Sequence, residues 1–188
     1  DHVDVMTATH VHEDHLCGLM PLRDRWPPRE FWQTLPERLH RSLAPLPPLP
    51  GAGASQEKFL RSINGYRLLC GQVEASGGVL RTLSAGREAR PCPGLTVRCL
   101  GPSPERSARL AGLYRGLYEP VDQEEFRRRL TALDAAMNNF SAILLLDYRG
   151  TRLLLPGDAN RLGCAGLDPR DLPAHLFKIG HHGQRAGA

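Results

Sequence analysis

The stretch Thr9-His10-Val11-His12-Glu13-Asp14-His15 decides how the chain is read, because it sets three imidazoles and two carboxylates within six consecutive positions. It follows directly on Val3, Val5 and the small residues after Met6, which predict a buried strand. Side chains two apart on a strand share a face, so His10 and His12 point the same way and can hold one ion. Asp14 keeps that parity where the chain should turn, and His15 is displaced from it, so this second pair reaches a neighbouring ion. Isolated histidines such as His2, His40 and His175 read as surface or satisfied core residues. A His-x-His-x-Asp-His run is different, since imidazoles and carboxylates at these spacings suit a borderline ion such as zinc.

Two later stretches bring the same side-chain types to strand ends. Asn138-Asn139-Phe140-Ser141 leads into the apolar run Ala142 to Leu146, and Tyr148-Arg149-Gly150-Thr151 reads as a hairpin turn. The returning strand, Leu153-Leu154-Leu155-Pro156-Gly157-Asp158, delivers Asp158. A last short strand from His175 to Ile179 delivers His181 and His182 within Lys178-Ile179-Gly180-His181-His182-Gly183. Polar groups at several strand ends, gathered on one edge of a sheet, make a cleft.

Together these motifs resemble the metal-binding signature of the metallo-β-lactamase superfamily. The Asn-Asn-x-Ser strand, the Gly-Asp and the Lys-x-x-His-His-Gly resemble the subgroup related to the hydrolase domain of the DNA-uptake protein ComEC. The resemblance spans most of the chain and skips its middle. It implies an α/β (α+β) fold, the four-layer αββα sandwich, here a single domain over 1–188 that is incomplete at both ends. Family members carry strands before the histidine loop and a helix and strand after the last histidine, whereas this chain opens on Asp1 and stops soon after His182.

Carried over position by position, the resemblance implies that His10 and His12 hold a first ion and that Asp14, His15 and His181 hold a second, with Asp158 bridging them. It implies zinc or manganese, one or two ions, with Asp14 and Asp158 as catalytic carboxylates. Asn138, Ser141, Lys178 and His182 would face substrate. The implied reaction is hydrolysis by metal-bound hydroxide, of phosphodiesters in DNA or nucleotides, with lactone, ester or amide hydrolysis, or a non-catalytic binding role, as alternatives. Asn138 stands where many two-metal members supply a third histidine, a replacement that the ComEC-like subgroup shares. Cys17, Pro156 and Gln184 stand where Gly, Thr and Ser are usual.

Composition agrees with one catalytic unit. A chain of 188 residues with 41% hydrophobic content can build a core. The net charge of +4 comes almost wholly from arginine, Lys58 and Lys178 being the only lysines. Arginine grips phosphate in bidentate fashion, so nucleic acid is a compatible partner, although solvated arginine faces are common. Five scattered cysteines give no disulfide framework and point to a reduced, cytosolic setting. No run is long enough to span a membrane.

The middle of the chain is read more coarsely. Leu16 to Met20 begins a helix that Pro21 ends, Arg23 to Arg41 forms short helical turns, and 43–55 is a flexible Pro/Gly-rich segment that buries little. A helix follows from Gln56 to Leu69, then a hairpin or short strands over Gly71 to Arg90, then a strand from Leu95 to Leu100. Asp122 caps a helix whose stripe is Phe126, Leu130, Leu133 and Met137. On its other side Arg127, Arg128 and Arg129 form a solvated face or a phosphate-contacting patch.

Overall fold

The computed structural model describes residues 2–183; Gln184 lies outside them. The fold is mixed α/β, with two sheets. The first is all parallel, in the order β1 (Val3–Thr7), β2 (Pro28–Gln33), β3 (Val79–Thr82). The second runs in chain order through β4 (Glu88–Cys92), β5 (Leu95–Gly101), β6 (Ile143–Tyr148), β7 (Thr151–Leu155) and β8 (Leu176–Phe177). Its neighbours are antiparallel except for the β7–β8 pair.

The helices are α1 (Glu13–Leu16), α2 (Leu19–Arg25), α3 (Ala54–Ala75), α4 (Pro104–Gly116), α5 (Gln123–Ala136) and α6 (Arg161–Cys164). Phe31 and Leu80 of the first sheet pack against Phe59, Ile63 and Tyr66 of α3, Leu110 and Tyr114 of α4 and Leu130 and Leu133 of α5. Trp32 faces the other way, into a layer shared with Val97, Cys99 and Leu144 of the second sheet. The outer face of that sheet, Ile143, Leu145 and Leu154, is met by Ala159, Cys164 and Leu167. This last cover is thin among the described residues: Leu162, Phe177 and Ile179 stay exposed. No described helix is long and apolar enough to cross a membrane.

Burial on both faces explains the unbroken apolar run of β6, whose Leu144 and Ile143 face different cores. The same condition governs β2, and there the expectation fails. Arg23 to Arg41, expected as helical turns, supplies the central strand of the parallel sheet, because Pro28 takes the first strand position, where no ladder bond is lost. Pro21 does not end a helix either. It lies in the first turn of α2, where a missing N–H costs little.

The Pro/Gly-rich segment is also different from its expectation. Leu43, Leu46 and Leu49 are all buried, at a spacing of three that puts one edge of a three-residue-per-turn chain against the core. Asn64 of α3 clasps the middle of this strap, bonding both Leu46 N (2.8 Å) and Leu46 O (2.9 Å).

Helix α5 has its expected cap, Asp122 accepting from Glu125 N at 2.8 Å. Its arginines are ion-paired or hydrogen-bonded within the protein, Arg128 on the solvated face with its side chain 76% exposed and Arg127 and Arg129 more covered. Arg127 donates to Pro50 O and Gly51 O, Arg128 pairs with Glu125, and Arg129 with Glu125 and Glu119. The 71–90 stretch begins as the last turn of α3, which runs to Ala75 beyond its expected end at Leu69, and then gives two short strands, but β3 and β4 belong to different sheets and form no hairpin. The five cysteines are free.

Two glycines separate helix propensity from packing. Gly71 is exposed inside α3 with open space around it, whereas a Cβ at Gly78 would lie 2.6 Å from Pro28 O. Gly71→Ala should stabilise by about 0.5–1 kcal/mol, and Gly78→Ala should destabilise by about 1–3 kcal/mol; urea denaturation of the two variants checks both signs.

Candidate metal centre

Backbone hydrogen bonds tie three distant segments together. The histidine loop leaves β1 and accepts at Thr9 O from Ala142 N (2.9 Å), which opens β6. The chain leaving β7 turns at Gly157 with φ 58°, where a Cβ would lie 3.1 Å from both Ala142 O and Thr9 Cβ. Glycine is therefore required for this crossing, and the next residue, Asp158, is driven inward to 2% exposure. Gly157 O in turn accepts from His181 N (3.2 Å), docking the His181-His182 turn on the same crossing. Those two histidines adopt left-handed backbone, φ 46° and 53°.

Four ligand atoms, one each from Asp14, His15, Asp158 and His182, lie within 4.8 Å of one another. His15 Nε2 is 3.2 Å from Asp158 Oδ2 and 3.5 Å from Asp14 Oδ2. His182 Nε2 is 3.0 Å from Asp14 Oδ2 and 3.2 Å from Asp158 Oδ2. Asp158 and His15 form the buried floor. Asp14 and His182 form the rim, their side chains 53% and 52% exposed.

Hydrogen bonding leaves this floor unfinished. His15 Nε2 approaches the carboxylates without hydrogen-bond alignment, and Asp158 Oδ1 is buried with no partner. Among the described residues neither Lys nor Arg pairs with Asp158. A buried carboxylate in that condition is costly, and a cation ligated by the same atoms removes the cost. Two imidazoles and two carboxylates are an appropriate donor set for a divalent transition metal, so the residues present fit an ion.

Burial acts on two of the imidazoles, those of His10 and His15. Burial, foremost, and then the neighbouring imidazoles of His15, His12, His181 and His182 push His10 down to about 2, so it is neutral at any working pH. Burial also lowers His15, against the opposing pull of Asp158 and Asp14. Thr9 Oγ1 sits 3.1 Å from His10 Nδ1 and 3.2 Å from His15 Nδ1, directing the two Nε2 atoms away from itself.

His10 and His12 make a second group beside the first. His10 Nε2 is 3.0 Å from His12 Nδ1, and the His10 ring lies 4.1 Å, centroid to centroid, from that of His15. The expected pairing of His10 with His12, and of Asp14 with His15 near Asp158, is thus present as proximity.

Other expected residues fall elsewhere. His182, not His181, occupies the fourth corner: the left-handed turn brings the ring of His182 to Asp14 and Asp158 on the rim, while His181 Nε2 faces Asn138 Nδ2 at 3.2 Å. Ser141, expected to face substrate, is 2% exposed and instead receives Asp158 N–H (3.2 Å) while its Oγ lies 3.1 Å from His10 Nδ1. Asn138 Oδ1 is buried without a partner beside His181. Among the described residues Lys178 Nζ donates only to the neighbouring Ile179 O (3.2 Å). Thr9 was not singled out in the sequence, and neither was Asp134, whose Oδ1 lies 3.1 Å from His12 Nε2. Nothing local to the sequence marks Asp134, which is separated from its partner by 122 positions.

Comparison with known proteins found no matching family model, no matching curated protein and no matching solved structure.

If the cost of Asp158 is electrostatic, Asp158→Asn should raise the thermal stability of the metal-free protein by about 1–3 kcal/mol and abolish stabilisation by added zinc. Thermal scans with and without zinc read both effects.

Proposed function

We propose that this chain is a metal-dependent hydrolase of metallo-β-lactamase type, close to the ComEC-like subgroup, acting on phosphodiesters of DNA or nucleotides. The observation that carries the reading is the buried, cation-seeking Asp158 carboxylate lying where the histidine loop and the His-His turn meet. The order of the motifs along the chain agrees with it: His-x-His-x-Asp-His, then Asn-Asn-x-Ser, Gly-Asp and His-His-Gly. Two face-to-face sheets with helices on the outer side of the first agree with an αββα sandwich whose fourth layer is slight.

Asp14, His15, Asp158 and His182 would hold one ion, and His10 with His12 would hold a second, zinc and manganese both suiting these donors. Such an ion, when bound, lowers the pKa of water toward neutrality and stabilises negative charge on a reacting oxygen. Asp158 supplies fixed negative charge to the floor, and Ser141 and Gly157 keep it there. Asp14 is the carboxylate open to solvent, so it is the group able to take a proton from water and pass it outward. His182 stands beside it on the rim, where an arriving substrate oxygen meets its ring. The neutral state of His10 removes a competing positive charge from the interior.

A chromogenic bis-aryl phosphate and single-stranded DNA test the substrate class. Turnover should require zinc or manganese, stop on chelation, and be lost in Asp158→Ala together with bound metal. Turnover of a lactone with neither phosphodiester cleaved would replace the substrate assignment, and a metal-loaded protein that turns over none of them would refute hydrolysis.

A further inference from the structure

We propose that Asp134, on the last turn of α5, is a positioning residue for the His10/His12 half of the centre. It fixes His12 with its proton on Nε2, so that the Nδ1 lone pair faces His10 Nε2 and any ion held there. The inference rests on the metal reading above and adds a residue to it.

The His12 ring is held from three sides. Its Nδ1 is 3.0 Å from His10 Nε2, its Nε2 is 3.1 Å from Asp134 Oδ1, and Phe59 packs edge-on at 5.6 Å between centroids. An ionised carboxylate only accepts hydrogen bonds, so the facing Nε2 carries the proton, and in the neutral imidazole, the form that binds metal, Nδ1 is then the nitrogen with the free lone pair. Two nitrogens that ligate one tetrahedral zinc at about 2.0–2.1 Å stand about 3.3–3.4 Å apart. The His10–His12 separation is within a few tenths of an ångström of that. A histidine that gives its second N–H to a carboxylate is the common outer arrangement of metal-binding imidazoles, and it makes the ring a stronger donor.

The placement of Asp134 is itself enforced. Gln123, Arg127, Thr131 and Asp134 recur at helical spacing along α5, and the first three bind the Pro/Gly strap and the start of α3. Gln123 Nε2 donates to Pro50 O (2.9 Å), Arg127 to Pro50 O (2.8 Å) and Gly51 O (3.0 Å), and Gln56 Nε2 to Thr131 Oγ1 (2.8 Å). The second oxygen of Asp134 faces Ser55 Oγ at 3.4 Å. The stripe thus pins the helix and ends on the metal-loop histidine. His15 has a different arrangement, with the hydroxyl of Thr9 rather than a carboxylate at its Nδ1. The two halves of the centre therefore differ in the charge behind their imidazoles.

The test is zinc titration of the full chain against a competing chelator, with long-range nitrogen–proton NMR of the imidazoles. Wild type should bind two ions, and His12 should show the Nε2–H form with Nδ1 ligated. Asp134→Ala should weaken one binding step by about 10–100-fold and leave the other unchanged. Asp134→Asn, which has the same shape and keeps an acceptor, should fall between, and metal-free thermal scans confirm that each variant is folded. Zinc binding that depends on Asp158 but is unaltered in both Asp134 variants, or a His12 ligated through Nε2, overturns this inference alone. Wild-type protein that binds no zinc, or whose zinc is indifferent to Asp158→Ala, overturns the metal reading and the inference with it.

Discussion

The Asp158 carboxylate, 2% exposed and with one oxygen lacking any hydrogen-bond partner, sets the terms for everything around it. Burying an ionised group without full compensation is among the more expensive things a small protein can do. The chain nevertheless directs several local features toward holding it. Gly157 adopts a positive φ in a space where a Cβ would crowd Ala142 O and Thr9, the Ser141 hydroxyl accepts the Asp158 N–H, and the histidine turn is docked by a bond to Gly157 O. A compact polar junction between two sheets, lined by carboxylates and imidazoles, makes physical sense as a receptacle for positive charge.

Fold and site are coupled through the strand ends. The parallel sheet delivers the histidine loop from β1, and the mixed sheet delivers Asp158 from β7, so the ends of these strands bring together residues 9–15 and 157–158. The helical layer is not a passive cover. Its α5 carries a polar stripe that fastens the Pro/Gly strap and continues to His12, so that the packing of one helix and the orientation of one imidazole are set by the same face.

Much of this was legible in sequence wherever a local rule and the tertiary environment agreed. Asp122 announced α5, the apolar runs announced β6 and β7, and the alternation of His10 and His12 announced that these two rings would lie side by side. The misses have physical causes. β2 opens with a proline, carries Arg29 and Glu30 in its first half and is buried on both faces only from Phe31 to Gln33, so it shows neither alternation nor ordinary strand composition. The strap buries every third residue, a period belonging to neither helix nor sheet. His181 was expected as a ligand from the resemblance alone, and the left-handed backbone of His181 and His182, which no local pattern announces, brings the ring of His182 to Asp14 and Asp158 instead. Asp134 depends on a contact 122 residues distant, and only the folded chain displays it.

The most direct measurement is anomalous diffraction at the zinc edge from crystals of the full chain grown with zinc. The account predicts a peak within bonding distance of Asp158, His15, Asp14 and His182, with a second between His10 and His12. Electron density that shows the Asp158 carboxylate satisfied by water or a protein donor, with no anomalous peak beside it, would contradict the account.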